Sequence, residues 1–191
     1  VQVLEERRAA LPLLTNNIFA VADDFIDGWR GPRATAVLGV WAAIQYKWSE
    51  WPRIRRRWPL VLPNPQDSEF FRPPTADERN AARARFELAG RVIVRVGSPL
   101  MAKWGDGYYA LAREAAKRGF SCMLVGAPEG LERHLRAYRN VTCLPPIHDD
   151  LMLRDLYWAA DTFALDSRRG ESFGNVAFEA LLCGLPGVYR A

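Results

Sequence analysis

Glu171-Ser172-Phe173-Gly174-Asn175-Val176-Ala177-Phe178-Glu179, continuing as Ala180-Leu181-Leu182-Cys183-Gly184-Leu185-Pro186, reads as a loop that turns into a helix. Gly174 allows a tight backbone entry. Val176, Phe178, Leu181 and Leu182 supply apolar positions at mixed helical spacing, and Gly184 followed by Pro186 stops the helix. The short apolar run before it, Thr162-Phe163-Ala164-Leu165, has the length and flanks of a buried strand. Two carboxylates therefore follow the carboxyl end of a strand, Glu171 in the loop and Glu179 about one turn into the helix. The amides of Phe173, Gly174 and Asn175 would be unpaired donors at a helix N-terminus, which suits an anion.

Working outward, the same alternation of apolar runs and amphipathic stretches extends back to residue 92. Strands are expected at Val92–Gly97, Ser121–Gly126, Val141–Leu144 and Thr162–Leu165. Helices are expected between them. One spans Asp106–Arg118, with an apolar face of Tyr109, Leu111, Ala112, Ala115 and Ala116. The others span Glu129–Tyr138 and Asp150–Ala160, the latter capped by Asp149 or Asp150. Strands of four to seven residues alternating with helices argue for βαβ units. The fold class is α/β, a Rossmann-like doubly wound parallel sheet. Ligands on such sheets lie beyond the carboxyl ends of the strands. Residues 97–103, 126–129, 145–148 and 166–175 collect there.

The first sixty residues are less legible. Val1–Ala10 looks like an amphipathic helix, Leu11–Thr15 like a short strand leading to Asn16-Asn17, and Gly28–Pro32 like a turn. Ala34–Trp48, rich in Ala and Trp, reads as a helix weakened by Gly39. Trp41, Trp48, Trp51 and Trp58 suit core or interface packing better than stacking on a ligand. Leu60–Leu62 reads as a strand running into the Pro-rich segment Pro63-Asn64-Pro65-Gln66-Asp67. Thr75 and Glu78 then form a capping box for a polar helix over 75–88. The expected division is 1–60 against 61–191. The start at Val1 and the ending Gly187-Val188-Tyr189-Arg190-Ala191, a strand barely begun, lead to the expectation of a piece of a longer protein, incomplete at both ends.

The 191 residues are 49% hydrophobic, ample for one core and marginal for two. The net charge of +4 is uneven: residues 1–60 hold 9 Lys/Arg against 6 Asp/Glu, the remainder 17 against 16. The excess lies around Arg53-Ile54-Arg55-Arg56-Arg57. A solvated face is the commonest meaning of such a run. A peripheral contact with an anionic membrane stays open, and no nucleic-acid partner is expected. Cys122, Cys143 and Cys183 have no metal-like spacing and fall in apolar patterns, as buried free thiols in a reducing, cytoplasmic setting would. The apolar run Ala34–Ile44 is too short to span a bilayer.

The stretch 171–186 resembles the group 1 glycosyltransferases of GT-B fold, retaining enzymes that use nucleotide sugars and whose signature is Glu-x7-Glu. Glu171 and Glu179 have that spacing, and Ser-Phe-Gly before the helix and Glu-Ala-Leu-Leu-Cys-Gly-Leu-Pro through its end are family-like. The segment from Pro63-Asn64 through Asp67 to Phe71-Arg72-Pro73 is similar to the family's interdomain joint. The resemblance covers residues 60–191 in outline and 160–188 with specificity. It implies a donor-binding C-terminal domain over 61–191, residues 1–60 being a remnant of the acceptor-binding domain.

The implied roles follow residue by residue. Glu171 is the catalytic carboxylate that would hold donor-sugar hydroxyls and help stabilise charge at the anomeric carbon, and Glu179 would accept hydrogen bonds from the ribose. Phe173, Gly174 and Asn175 present amides to the distal phosphate or sugar, beside Gly97, and Pro146 edges the nucleobase. Lys103 meets the diphosphate. Ser98 and Trp104 stand where the family commonly has Arg and Gly, and Arg168 or Arg169 from the neighbouring loop would compensate. No metal or other cofactor is implied. The partners are a nucleotide sugar and a glycan, lipid-linked or small-molecule acceptor. The fragment by itself is expected to be inactive and poorly soluble. A rival reading is a non-catalytic nucleotide-sugar-binding module. A Rossmann-like NAD enzyme is disfavoured because Gly97-Ser98-Pro99 replaces Gly-x-Gly-x-x-Gly.

Overall fold

The computed structural model describes residues 14–17, 35–38, 60–61, 64–167 and 174–189. The sequence readings for Val1–Ala10, Gly28–Pro32, the four tryptophans and Arg53–Arg57 lie outside the described residues. Two compact units divide the chain, 1–65 and 66–191.

In the first unit, β1 (Leu14–Asn17), β2 (Thr35–Leu38) and β3 (Leu60–Val61) form a parallel sheet in the order β1-β2-β3. Leu14 pairs with Thr35, and Val37 with Leu60. The helix expected from Ala34 is corrected over these residues: Thr35-Ala36-Val37-Leu38 is the middle strand. Its β-branched Thr35 and Val37 suit a pleated surface, and pairing on both sides outweighs the alanine content.

The second unit begins at Gln66, within the Pro-rich segment. Asp67 Oδ1 accepts from the amides of Glu69 and Phe70, folding the segment so that Phe71 is buried. Helix α1 (Ala76–Arg85) carries the expected capping box between Thr75 and Glu78. Glu78 also takes a bidentate ion pair from Arg72 (2.9 and 2.6 Å), which together with the cap pulls its carboxyl down to about 2.

Five parallel strands follow: β4 (Arg91–Val96), β5 (Phe120–Val125), β6 (Val141–Leu144), β7 (Thr162–Leu165) and β8 (Gly187–Tyr189). Their spatial order is β6-β5-β4-β7-β8. Between them run α2 (Gly107–Lys117), α3 (Glu129–Leu135), α4 (Asp150–Ala159) and α5 (Asn175–Leu182). The chain steps outward from β4 to β6, then crosses back to β7 on the other side of β4. The strand order therefore reverses between β4 and β7, the position where doubly wound sheets open a ligand crevice. The β4–β7 ladder runs over Ile93↔Thr162 and Val94↔Phe163, although both strands continue past it.

Strand alternation sorts the core into two layers. Val92, Val94, Val96, Met123 and Val125 pack with Leu156, Tyr157, Trp158 and Phe163 on one side. Leu124 packs with Trp104, Tyr108, Ala112, Leu131 and Leu135 on the other. The expected apolar positions of two helices hold in part. In α2 the buried positions are Tyr108, Ala112 and Ala115, spaced i, i+4, i+7, while Tyr109 and Leu111 are half-buried and Ala116 is exposed. In α5 the small residues Ala177 and Ala180 face inward, which lets the helix approach closely, while Phe178 and Leu181 are 43% and 48% exposed. Helix α5 ends as expected at Gly184: Leu185 N–H reaches Ala180 O and Gly184 N–H reaches Leu181 O.

The polar helix α1 docks through arginines rather than an apolar stripe. Arg79 donates to the carbonyls of Trp158 and Ala160, and Arg83 to that of Ala159, so the last turn of α4 finds its missing partners. Asp161 accepts from both arginines and from Val92 N–H, tying the group to β4. The free cysteines Cys122 and Cys183 are buried, which pushes their thiols up to about 11 and about 12. Cys143 is half-buried.

The carboxyl ends of β4, β5 and β6 are stitched by Gly97 N–H to Val125 O (3.0 Å) and Gly126 N–H to Leu144 O (2.9 Å). Gly126 has φ +72°, and a Cβ there would overlap the Gly97 carbonyl oxygen. Gly126→Ala is therefore expected to cost at least about 2 kcal/mol of unfolding free energy, combining left-handed strain with displaced backbone, as read by urea denaturation.

Candidate functional site

The carboxyl edge of the five-stranded sheet brings several of the expected residues to one side. Gly97 and Pro146 meet around Gly126, since a Cβ built there would lie 3.8 Å from Pro146 Cγ as well as against Gly97 O. Pro146 is exposed and Gly97 half-buried. Lys103 ends a single 3-10 turn, Met101–Lys103, and is half-buried. Gly174 caps α5 with φ +83°, and its carbonyl accepts from Ala177 and Phe178. The first turn of that helix begins with exposed Asn175. Arg168, Glu171 and Phe173 lie outside the described residues.

Glu179 stands apart from this group, in the second turn of α5 against α4. Its Oε2 accepts from the Tyr157 hydroxyl at 3.0 Å. Partial burial raises its carboxyl above the ordinary value of 4.5. The Tyr157 hydrogen bond opposes that rise, and the Asp150 carboxylate adds to it. Tyr157 itself is pushed well above the ordinary phenol range, first by burial and then by the neighbouring Glu179. The hydroxyl therefore stays protonated and donates, holding one carboxylate oxygen in place.

Side chains to which the sequence assigned no role join the loops at this edge of the sheet. Arg95 is 1% exposed on the α2 side of β4. Its Nε donates to the Tyr108 hydroxyl at 2.7 Å, its Nη2 to the Lys103 carbonyl at 3.0 Å, and its guanidinium lies 5.0 Å from the centre of the Trp104 ring. Trp104 Nε1 closes the loop on Ser98 O at 2.9 Å. Asp166, next after β7, donates its N–H to the same Tyr108 hydroxyl at 3.0 Å. Its carbonyl accepts from Gly105 N–H and its Oδ2 from Gly107 N–H, at the start of α2. Ser167 Oγ reaches the Lys103 carbonyl at 3.3 Å. The loops after β4 and β7 are thus joined across the reversal point. The signal for Arg95 was a charge inside Val-Ile-Val-Arg-Val, an otherwise apolar run. For Tyr108 and Tyr157 no sequence signal separates them from ordinary core aromatics.

Among the described residues no cluster of three His, Cys, Asp or Glu could hold a metal ion, and no helix is long and apolar enough to cross a membrane.

Comparison with known proteins adds the following. A family model described as glycosyl transferases group 1 matches residues 90–190, more than half of the chain. The D-inositol 3-phosphate glycosyltransferase of Mycobacterium tuberculosis is 38% identical over 140 residues, covering 65% of this chain and 27% of that protein. The chain thus spans about a quarter of the curated relatives it matches. Among solved structures, Anabaena HepE in complex with UDP and glucose superposes with a TM-score of 0.69 at 19% identity, over 97% of this chain and 54% of that one. WaaG, a glycosyltransferase involved in lipopolysaccharide biosynthesis, gives 0.70 at 17% identity, over 100% and 62%. These likenesses agree with the GT-B-type α/β fold.

The Glu179 geometry has a testable consequence. A carboxyl raised by burial favours the protonated native state, so its contribution to stability is full below the ordinary 4.5 and is lost as pH rises through the raised value. Glu179→Gln keeps an acceptor for Tyr157 and removes the charge. Its melting temperature is expected to exceed that of the wild type at pH 7–8 and to match it near pH 4, as read by calorimetry without ligand.

Proposed function

The chain belongs to the group 1 glycosyl transferase family, and from that premise we propose that it is the donor-binding part of an enzyme using a nucleotide sugar. The observation that carries this reading is the arrangement at α5: a left-handed glycine, the helix entry it opens and a half-buried carboxylate held by Tyr157. All follow a strand at the reversal point of the sheet. The solved relative that holds UDP and glucose supports the same ligand class here.

In this reading the Asn175 end of α5 and Lys103 face the diphosphate, with Arg168 reinforcing them and no metal taking part. Fixed donors at a leaving group lower the barrier because they need no reorganisation as charge develops. Glu179 Oε2 is occupied by Tyr157, which leaves Oε1 to accept from the ribose. Pro146 beside Gly126 edges the base, and Glu171 holds the donor sugar. The anomeric C–O bond breaks with its electron pair leaving on the diphosphate, and an acceptor hydroxyl on a glycan, a lipid-linked sugar or a small molecule bonds to that carbon with retention, its proton passing to the departing phosphate oxygen. Because the chain spans only part of its relatives, it is expected to bind nucleotide by itself, transfer being a property of the longer enzyme.

The test is calorimetric titration with UDP, ADP and GDP and the matching nucleosides. The wild-type chain is expected to bind at least one diphosphate more tightly than its nucleoside. Glu179→Ala should weaken both at least tenfold, since a hydrogen bond to a charged group contributes about 1.5–3 kcal/mol. Lys103→Ala should weaken the diphosphate about tenfold and leave the nucleoside unchanged. No binding of any of the three diphosphates to the folded wild type would sink the reading.

A further inference from the structure

A buried arginine in the central strand of a parallel sheet calls for a reason, because desolvating a charge is costly unless its donors are met. On the same face of β4, apolar side chains would pack against α2 at no such cost. Arg95 is instead aimed toward the carboxyl end of its strand: a Cβ built on Gly97 would sit 3.1–3.2 Å from the guanidinium atoms. The cation therefore lies directly beneath the mouth of β4, where the loop bearing Lys103 begins.

What it holds there is specific. One edge of the guanidinium takes the Lys103 carbonyl and the ring of Trp104 covers it, so the 3-10 turn and the residue after it are both fixed on Arg95. Nε takes the Tyr108 hydroxyl. That same oxygen accepts the Asp166 amide, which a longer β4–β7 ladder would have directed toward β4. Ser167 closes the circuit on the Lys103 carbonyl. A single side chain thus ties the start of the β7 loop to the turn that presents Lys103, across the gap where the two strands stop pairing.

We infer that Arg95 is a positioning residue for the diphosphate end of the donor site: through Lys103 O, Trp104 and Tyr108 it holds the loops after β4 and β7 in one arrangement. This rests on the nucleotide-sugar reading above and names the device that orients its cation. Arg95 is too buried to touch the ligand; it acts through the turn it anchors and through a positive charge set beneath it.

The experiment is the ratio of diphosphate to nucleoside affinity, measured by calorimetry on the whole chain with the tightest binder among UDP, ADP and GDP and its nucleoside. Arg95→Met removes the fork and the charge. Tyr108→Phe keeps the buried ring and removes only the hydroxyl that joins Arg95 to Asp166, so it tests the same link even if Arg95→Met does not fold. Both are expected to weaken the diphosphate about tenfold while the nucleoside changes less than twofold. A core role alone would lower the melting temperature and either leave both affinities intact or reduce them together. An unchanged ratio in Tyr108→Phe, or in a folded Arg95→Met, overturns the inference. The wild-type titration keeps this outcome separate from failure of the nucleotide reading, which would show as no binding before any substitution is made.

Discussion

The architecture of the second unit depends on a short parallel ladder. Strands β4 and β7 share two residue pairs, yet every element after β6 hangs from them, because the chain must return across the sheet to place β7 and β8. Two pairs supply few backbone hydrogen bonds, so side chains complete the junction at both ends. At the amino end, Asp161 accepts from Val92 N–H and from the two arginines of α1. At the carboxyl end, the Tyr108 hydroxyl takes the Asp166 amide. The short ladder lies where the strand order reverses, the position at which doubly wound sheets take their ligands.

Charge placement follows from that short pairing. An exposed ion pair such as Arg133 with Glu129 contributes only about 0.3–0.5 kcal/mol, and its loss would leave the fold intact. Arg95 and Arg79 differ because each satisfies backbone groups that sheet or helix geometry leaves open: the Lys103 carbonyl in one case, the last carbonyls of α4 in the other. Loss of either would take donors away from part-buried carbonyls, which costs more than losing an exposed ion pair. Glu179 shows the opposite trade. Burial raises its carboxyl above the ordinary value, so the charged form is disfavoured where it stands even with Tyr157 donating to it.

Much of this was legible beforehand. The strands β4 to β7, the capping box at Thr75 and Glu78, the stop at Gly184 and the αL entry at Gly174 all depend on neighbours within a few residues. The middle strand β2 was not legible, because Thr35-Ala36-Val37-Leu38 becomes a strand only by pairing with Leu14–Asn17 and Leu60-Val61. Nor were the buried faces of α2 and α5: helical spacing admits Tyr108 or Tyr109, Ala177 or Phe178, and the packing partner chooses between them.

The sequence by itself determined the order of elements from α1 onward, the family signature and the pair of glutamates eight residues apart, since these are properties of periodicity and local chemistry. Tertiary structure alone decided that Arg95, Tyr108 and Asp166 meet, and that Tyr157 holds Glu179. Those contacts join residues 13 to 58 positions apart, and their existence follows from the strand order β6-β5-β4-β7-β8, which sets β4 beside β7. Nothing local in the chain encodes that adjacency; it arises when the two layers of core close on opposite faces of the sheet.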